Sequence, residues 1–416
     1  MLFTALHRAL GISPGALTDA MIDASVANRV AETDDLDWKS HLPPSNGIQA
    51  TDFPKDVAAM ANSGGGTLVY GVEAEEKAAT GRRDVGHLTE RHEQALRSAA
   101  VTAISPPVFG LGVFEIAGES GKRAVVIVVP PSSDGPHLIY KGECFGAPFR
   151  NDADTFWMKE RQIEAAYRAR FDERRHAGEA LANLYAEIAA GRDTRSHAWL
   201  IAVAHPRLPS TTTAPSREEA RKMLQSAHDL APHYADTSVT HAIQNLNIND
   251  PRPGLRRWNA VNSATDERNR WREAWAAIHH DGSVVLATAI GGARTTLDGY
   301  APGNRIDSAR IESSVADFMA LVRTVSEARG TDAYESRVGI NWTGDSPLII
   351  HTADRFGGEF DTNSIPLARY TPVDVTVIAD ASELDYTRQV HGLAQDCINQ
   401  GGISNVRLIA KPEDDD

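Results

Sequence analysis

Only two of the 416 residues are cysteines, Cys144 and Cys397, too few for a disulfide framework or a cysteine-based zinc site. Lysine is nearly as scarce. It supplies 8 of the 42 basic residues, and this arginine bias, with abundant alanine, points to a GC-rich bacterial genome. No apolar run approaches the ~18 residues that a membrane-spanning helix needs. The N-terminal MLFTALHRALGISPGALTDAM lacks both the basic stretch and the long apolar stretch of a secretory signal. These absences predict a soluble, cytoplasmic protein with no membrane partner. Positive charge is in deficit as well. Subtracting 56 acidic from 42 basic residues leaves −14, which excludes a protein that coats nucleic acid through bulk charge but leaves room for a local basic groove.

What is present describes an ordinary globular chain, 42% apolar and 24% charged, long enough for two to three domains. Residues 1–29 read as a helical arm. From residue 30 the pattern tightens. Leu36-Asp37-Trp38-Lys39 alternates as a half-buried strand does. A helix from about Phe53 ends at Gly64, and Thr67–Val72 and Ala124–Val129 read as strands, the second nearly all apolar and therefore central. Val108–Ile116 is a further strand candidate, Thr89–Ile104 a helix, and Lys159–Ala190 a long helix. Residues 176–216 are expected as a helical connector ending in the linker-like Pro206–Ser216. Residues 217–416 read as a second domain of α+β type, with strands at Arg257–Val261, Trp271–His279, Val284–Ile290, Val338–Trp342, Leu348–His351 and Val373–Ile378, and helices at Ser308–Arg329 and Leu384–Asn399. No internal repeat is visible, and Glu413–Asp416 form an acidic tail.

Two short clusters carry the chemistry. Residues two apart on a strand share a face, so Asp37 and Lys39 point together, and Glu32 and Glu73 flank the same region. Clustered carboxylates suit a hard divalent cation, and a neighbouring lysine suits a phosphate; an exposed ion pair beside a solvated acid is the competing reading. The second cluster is Asn62-Ser-Gly-Gly-Gly-Thr67. Consecutive glycines let a backbone approach a phosphate or another backbone closely. This loop follows a helix and lacks the Lys-Ser/Thr of a P-loop, so no ATP is expected there. Arginines on the long helix, Arg168 and Arg170 among them, are interleaved with acids. Arg256-Arg257-Trp258 and Arg268–Arg272 combine arginine with tryptophan, as base-stacking surfaces and packed cores both do.

In combination these segments are more specific: Glu32-x-x-x-Leu-Asp37-Trp-Lys39, then Phe53 through Ala-Asn62-Ser-Gly-Gly-Gly-Thr-Leu-Val-Tyr-Gly-Val72, then Val126–Pro130, Phe149-Arg150 and Tyr167-Arg168. The chain resembles the Schlafen-type AlbA-like domain over roughly residues 30–170. The resemblance implies an N-terminal mixed α/β Schlafen/AlbA-like domain over residues 30–175, followed by the second α+β domain. It implies binding of RNA or DNA and, in nuclease-active relatives, a three-carboxylate site that cuts structured RNA such as tRNA with Mg²⁺ or Mn²⁺. Position by position, that site falls on Glu32, Asp37 and Glu73, with Lys39 on phosphate. The expected nucleic-acid contacts are Lys39, Asn62, Gly65, Gly66, Arg150, Arg168 and Arg170. The family has Glu at the second acidic position, Asp or Glu at the third and Phe before the lysine, where this chain has Asp37, Glu73 and Trp38. The alternative reading is a non-catalytic DNA-binding regulator or defence-associated sensor whose C-terminal half recognises a partner. Because the motif set occurs once, a homodimer through Leu2, Phe3, Leu6 and Leu10 is expected to complete the groove, unless the arm packs on its own domain or the C-terminal half forms the second wall.

Overall fold

The computed structural model describes residues 3–117, 121–208, 214–237, 239–262, 267–294, 299–353 and 364–411. Leu2 and the tail Glu413–Asp416 lie outside the described residues. The chain forms two compact units, Met1–Arg174 and Arg175–Asp416.

The first unit runs α1 (Ala5–Leu10), α2 (Asp19–Ala27), β1 (Leu36–Lys39), α3 (Phe53–Ala61), β2 (Gly66–Tyr70), β3 (Val72–Glu75), β4 (Ala78–Arg82) and α4 (Glu90–Thr102). It continues through β5 (Ile104–Ser105), β6 (Gly112–Ile116), β7 (Ala124–Val129), β8 (Leu138–Lys141), β9 (Cys144–Gly146), β10 (Pro148–Asn151), β11 (Asp154–Trp157) and the start of α5 (Glu160–Ala190). Its main sheet has the order β1-β2-β7-β6, with β1 parallel to β2 and the other pairs antiparallel.

Strand alternation divides the core between the two faces. Leu68, Tyr70, Val125 and Ile127 pack with Val57 and Met60 of α3 and Leu96 of α4. Leu36, Trp38, Val69 and Val126 pack with Leu6 of α1 and Ile22 of α2 on the other side. β7 is apolar throughout because it lies between β2 and β6 with both faces covered. Leu6 of the arm is buried in this core, whereas Phe3 is exposed. The strand expected at Val108–Ile116 begins only at Gly112. The short strands β8 to β11 show no apolar–polar alternation, because Tyr140, Phe145, Phe156 and Trp157 are exposed while Arg150 is buried.

In the second unit β12 (Trp199–Pro206), α6 (Arg217–Tyr234), β13 (Arg252–Gly254), β14 (Arg257–Val261), β15 (Ala274–His279), β16 (Val284–Ala289), β17 (Arg305–Asp307), α7 (Ser308–Arg329), β18 (Ala333–Asn341), β19 (Ile349–His351), β20 (Val373–Ile378) and α8 (Glu383–Asn399) follow. Seven strands form one antiparallel sheet, β13-β14-β15-β16-β12-β18-β20. Leu200, Ala202 and Ala204 of β12 face the core shared with α6, α7 and α8. Trp199, Ile201 and Val203 face Leu181, Tyr185 and Ile188 of α5. Residues 176–216, expected as connector and linker, thus carry an interior strand of this sheet. The ends of α7 follow local chemistry: the Asp307 side chain accepts from the Ala309 N–H, and Gly330 closes the helix at φ 64°.

Candidate nucleic-acid interface

The alternation of β1 sends Leu36 and Trp38 into one core and turns Asp37 and Lys39 toward α3. There the buried Asp37 carboxylate sits between two cations. Its Oδ2 lies 2.8 Å from Lys39 Nζ and its Oδ1 3.3 Å from Arg150 Nη1 on β10. Lys39 Nζ is also 3.3 Å from Oδ2 of Asp56, in the first turn of α3. Arg150 reaches further, donating through Nη2 to the Thr33 carbonyl at 2.9 Å. Glu32 closes the group by accepting the Trp38 N–H at 3.2 Å. One acid–base network therefore joins the segment before β1, β1 itself, α3 and β10.

The electrostatics follow from burial. Loss of solvent, with Asp37 nearby, raises the Glu32 carboxyl above its ordinary value. Burial likewise raises Asp56, with Lys39 pulling the other way and Asp37 adding to the rise. Burial disfavours the Lys39 ammonium, but Asp56 and Asp37 outweigh it and hold Lys39 above its ordinary value.

The sequence pattern of the family described as Schlafen, AlbA_2 matches residues 32–157. Residues 32–157 are a Schlafen, AlbA_2-type domain. No curated protein matches the chain. Among solved structures, the N-terminal domain of a RecG-related protein from Nitrosomonas europaea is 17% identical, the match covering 31% of this chain and 84% of that one at a TM-score of 0.24. The DIP2311 protein from Corynebacterium diphtheriae is 17% identical over 51% of this chain, at a TM-score of 0.26; the match covers 34% of that protein.

Within the Schlafen domain, Glu32, Asp37, Lys39 and Arg150 come together, and Glu73 does not complete a metal centre with them. Glu73 stands on the β3–β4 hairpin, its Oε1 3.8 Å from Arg83 Nη1. Among the described residues no three His, Cys, Asp or Glu side chains form a group that would hold a metal ion. The oxygens of Asp37 already face two cations, which repel a divalent ion. The residues present therefore do not fit a three-carboxylate metal site. Asp56, absent from the sequence reading, is the carboxylate that shares Lys39. Its only local signal was an acid in a helix's first turn, which serves the helix dipole equally well.

The asparagine–glycine segment closes the domain from within. Asn62 Nδ2 donates to the carbonyls of His137 (2.9 Å) and Pro148 (2.8 Å), while its Oδ1 accepts from the His137 N–H (2.7 Å). Gly65 has φ 92°, and its N–H donates to the Met60 carbonyl at 2.8 Å. A Cβ there would lie 2.8 Å from both Val129 O and Pro131 N. At Gly66 a Cβ would meet Met60 Sδ at 2.6 Å. Gly64 has the same φ with open space around it. Gly65→Ala is therefore expected to destabilise the domain by more than the ~1–3 kcal/mol of backbone strain alone, and Gly64→Ala by strain only. Urea unfolding of the two variants separates them; equal losses would contradict the close approach.

Arg168 is exposed and pairs with Glu164, and Arg170 is half-buried. Burial, with Arg170 nearby, holds the His137 imidazole below its ordinary value. The arginine–tryptophan motifs belong to the second unit and are packed: Trp258 Nε1 donates to the Pro215 carbonyl at 2.8 Å, and the Arg272 and Arg310 guanidinium groups lie 4.5 and 5.1 Å from the Trp271 ring centroid. No helix among the described residues is long and apolar enough to cross a membrane.

Proposed function

We propose that the Schlafen domain binds nucleic acid and does not cut it, the non-catalytic arm of the sequence reading. The observation that carries this is the Schlafen, AlbA_2 match over residues 32–157. Against the three-carboxylate arrangement of nuclease-active relatives stands the position of Glu73, which lies on the β3–β4 hairpin beside Arg83 and forms no three-acid group with Glu32 and Asp37. The network of Asp37, Lys39, Asp56 and Arg150 serves as the scaffold that fixes β1, α3 and β10. Phosphate contacts then fall to exposed cations such as Lys159, Arg161 and Arg168. A two-fold homodimer is the finer partner reading. Among the described residues of the arm, Phe3 and Ile12 are exposed apolar side chains available for that contact, whereas Leu6 is part of the domain core.

With a net charge of −14, binding rests on a local basic surface. About three phosphate contacts on a single strand weaken binding roughly 20-fold between about 50 and 200 mM salt. Fluorescence anisotropy of labelled oligonucleotides measures this, and an affinity flat across that range would overturn the reading. Structured RNA incubated with the chain and Mg²⁺ or Mn²⁺ is expected to remain intact. EDTA-sensitive cleavage that disappears in Asp37→Asn would overturn the non-catalytic part.

A further inference from the structure

Arg192 follows the end of α5 by two residues. Its guanidinium carbon stands 5.3 Å from the Trp199 ring centroid and 4.9 Å from that of Trp275, over both tryptophans at once. The two rings are buried in the cluster that also holds Leu181, Tyr185 and Ile188 of α5. Stacking uses the face of a guanidinium and leaves its N–H edge for a planar acceptor. Here that edge is unmet. Nε is buried without a hydrogen bond, and among the described residues no ion pair engages the side chain.

Arg192 lines a cavity of about 350 Å³ together with Asp193, His197, Trp199, Arg270 and Glu273. That volume lies at the small end of the roughly 300–1,000 Å³ typical of small-molecule sites. Strand alternation supplies the acid. Glu273 precedes Trp275 by two and shares its face, and the Glu273 carbonyl extends the ladder by accepting the Ala289 N–H at 2.8 Å. Glu273 is close enough to favour the charge of Arg192 against burial, yet no hydrogen bond or ion pair joins them among the described residues. The other two charges answer each other. Arg270 Nη1 is 3.9 Å from Asp193 Oδ2, and Asp193 also accepts the Ser196 N–H at 3.2 Å. Burial holds the His197 imidazole below its ordinary value. Its ring is seated against Gly292, where a Cβ would lie 2.7 Å from His197 Cδ2. The cavity therefore presents one unmatched cation and one unmatched anion, fixed on separate elements.

We propose that this cavity binds a small zwitterion, a free α-amino acid, with Arg192 taking its carboxylate and Glu273 its ammonium group. The site lies within the second unit and is independent of the nucleic-acid reading of the first. The unmatched pair decides the class. A carboxylate meets the guanidinium edge in the bidentate geometry that arginine suits, and an ammonium group supplies the donors that Glu273 lacks. A phosphate dianion would set surplus negative charge against Glu273. A nucleobase finds no open indole face, because Arg192 covers Trp199 and Trp275 and the Arg257 guanidinium lies a further 5.3 Å from the Trp275 centroid.

The test is isothermal titration calorimetry of the full chain with each common L-amino acid, raised to about 10 mM so that a millimolar Kd is measurable. At least one amino acid is expected to bind. Its N-acetyl form lacks the ammonium group and its carboxamide lacks the carboxylate. Each derivative is expected to bind roughly 10- to 150-fold more weakly, the loss of one charge-assisted hydrogen bond. Glu273→Gln keeps the shape and removes the charge, and it is expected to weaken the parent amino acid by the same factor, as is Arg192→Met. Glu273→Gln carries the test if the arginine variant does not fold.

Binding of no amino acid overturns the proposal. Equal binding of the parent and its N-acetyl form reduces the cavity to a site for simple anions and overturns the zwitterion. Binding unchanged in Glu273→Gln places the ligand elsewhere and overturns the assignment to this cavity.

Discussion

Arg150→Met is expected to lower the stability of the N-terminal unit by about 3–5 kcal/mol, the cost of removing one partner from a buried ion pair. For a unit of this size that corresponds to a fall in Tm of roughly 6–20 °C. Arg150 and Asp37 are both buried. Loss of the guanidinium removes the 3.3 Å contact to Asp37 and the hydrogen bond to the Thr33 carbonyl. Lys39 remains beside Asp37 but is shared with Asp56. Adding Asp37→Asn to Arg150→Met removes the orphaned charge and is expected to recover part of the loss. Calorimetry of the full chain reads both variants. A deficit below about 1 kcal/mol for the single variant would show that the network is a surface feature with little energetic weight.

The second unit holds a pair of equal consequence. His241 Nδ1 and Asp317 Oδ1 are 2.6 Å apart and fully buried, and Asp317 Oδ2 accepts the Ile243 N–H at 3.1 Å. Asp317→Ala leaves an imidazole and a backbone donor without their partner, an expected loss of about 3–5 kcal/mol. The loss depends on pH in a fixed direction. Burial opposes the imidazolium, but the hydrogen bond and charge of Asp317 outweigh burial and raise His241 above 6.5. Between 6.5 and that raised value the folded chain holds more protons than the unfolded chain. The stabilisation is therefore complete below 6.5 and fades as pH rises through the folded value. Urea unfolding at about pH 6 and about pH 9 is expected to show a larger Asp317→Ala deficit at the lower pH. A deficit that grows with pH would reverse the assignment.

Much of the architecture is legible in the residues because it depends on neighbours along the chain. The alternation Leu36-Asp37-Trp38-Lys39 identifies β1 and its two faces, and the apolar Ala124–Val129 announces an interior strand. Asp307 and Gly330 delimit α7 through a cap at one end and a left-handed residue at the other. By contrast, β12 reads as an undirected apolar run. Both of its faces are covered, so no polar position reveals its period. The β8–β11 hairpins hide their period because their aromatic side chains are exposed and Arg150 is buried.

The candidate site divides along the same line. Local sequence determined that Glu32, Asp37 and Lys39 lie on or beside one strand, that Gly64-Gly65-Gly66 turn the chain from α3 into β2, and that the net charge confines any nucleic-acid contact to a patch. Only the tertiary structure decided which groups meet. It placed Asp56 of α3 against Lys39 and Arg150 of β10 against Asp37, kept Glu73 with Arg83 on its own hairpin, and left the rings of Tyr140, Phe145, Phe156 and Trp157 in solvent. The reason is one of range: strand alternation and turn chemistry act over a few residues, whereas the partners of a buried charge come from other elements, 113 positions away for Arg150 and Asp37, and are selected by packing.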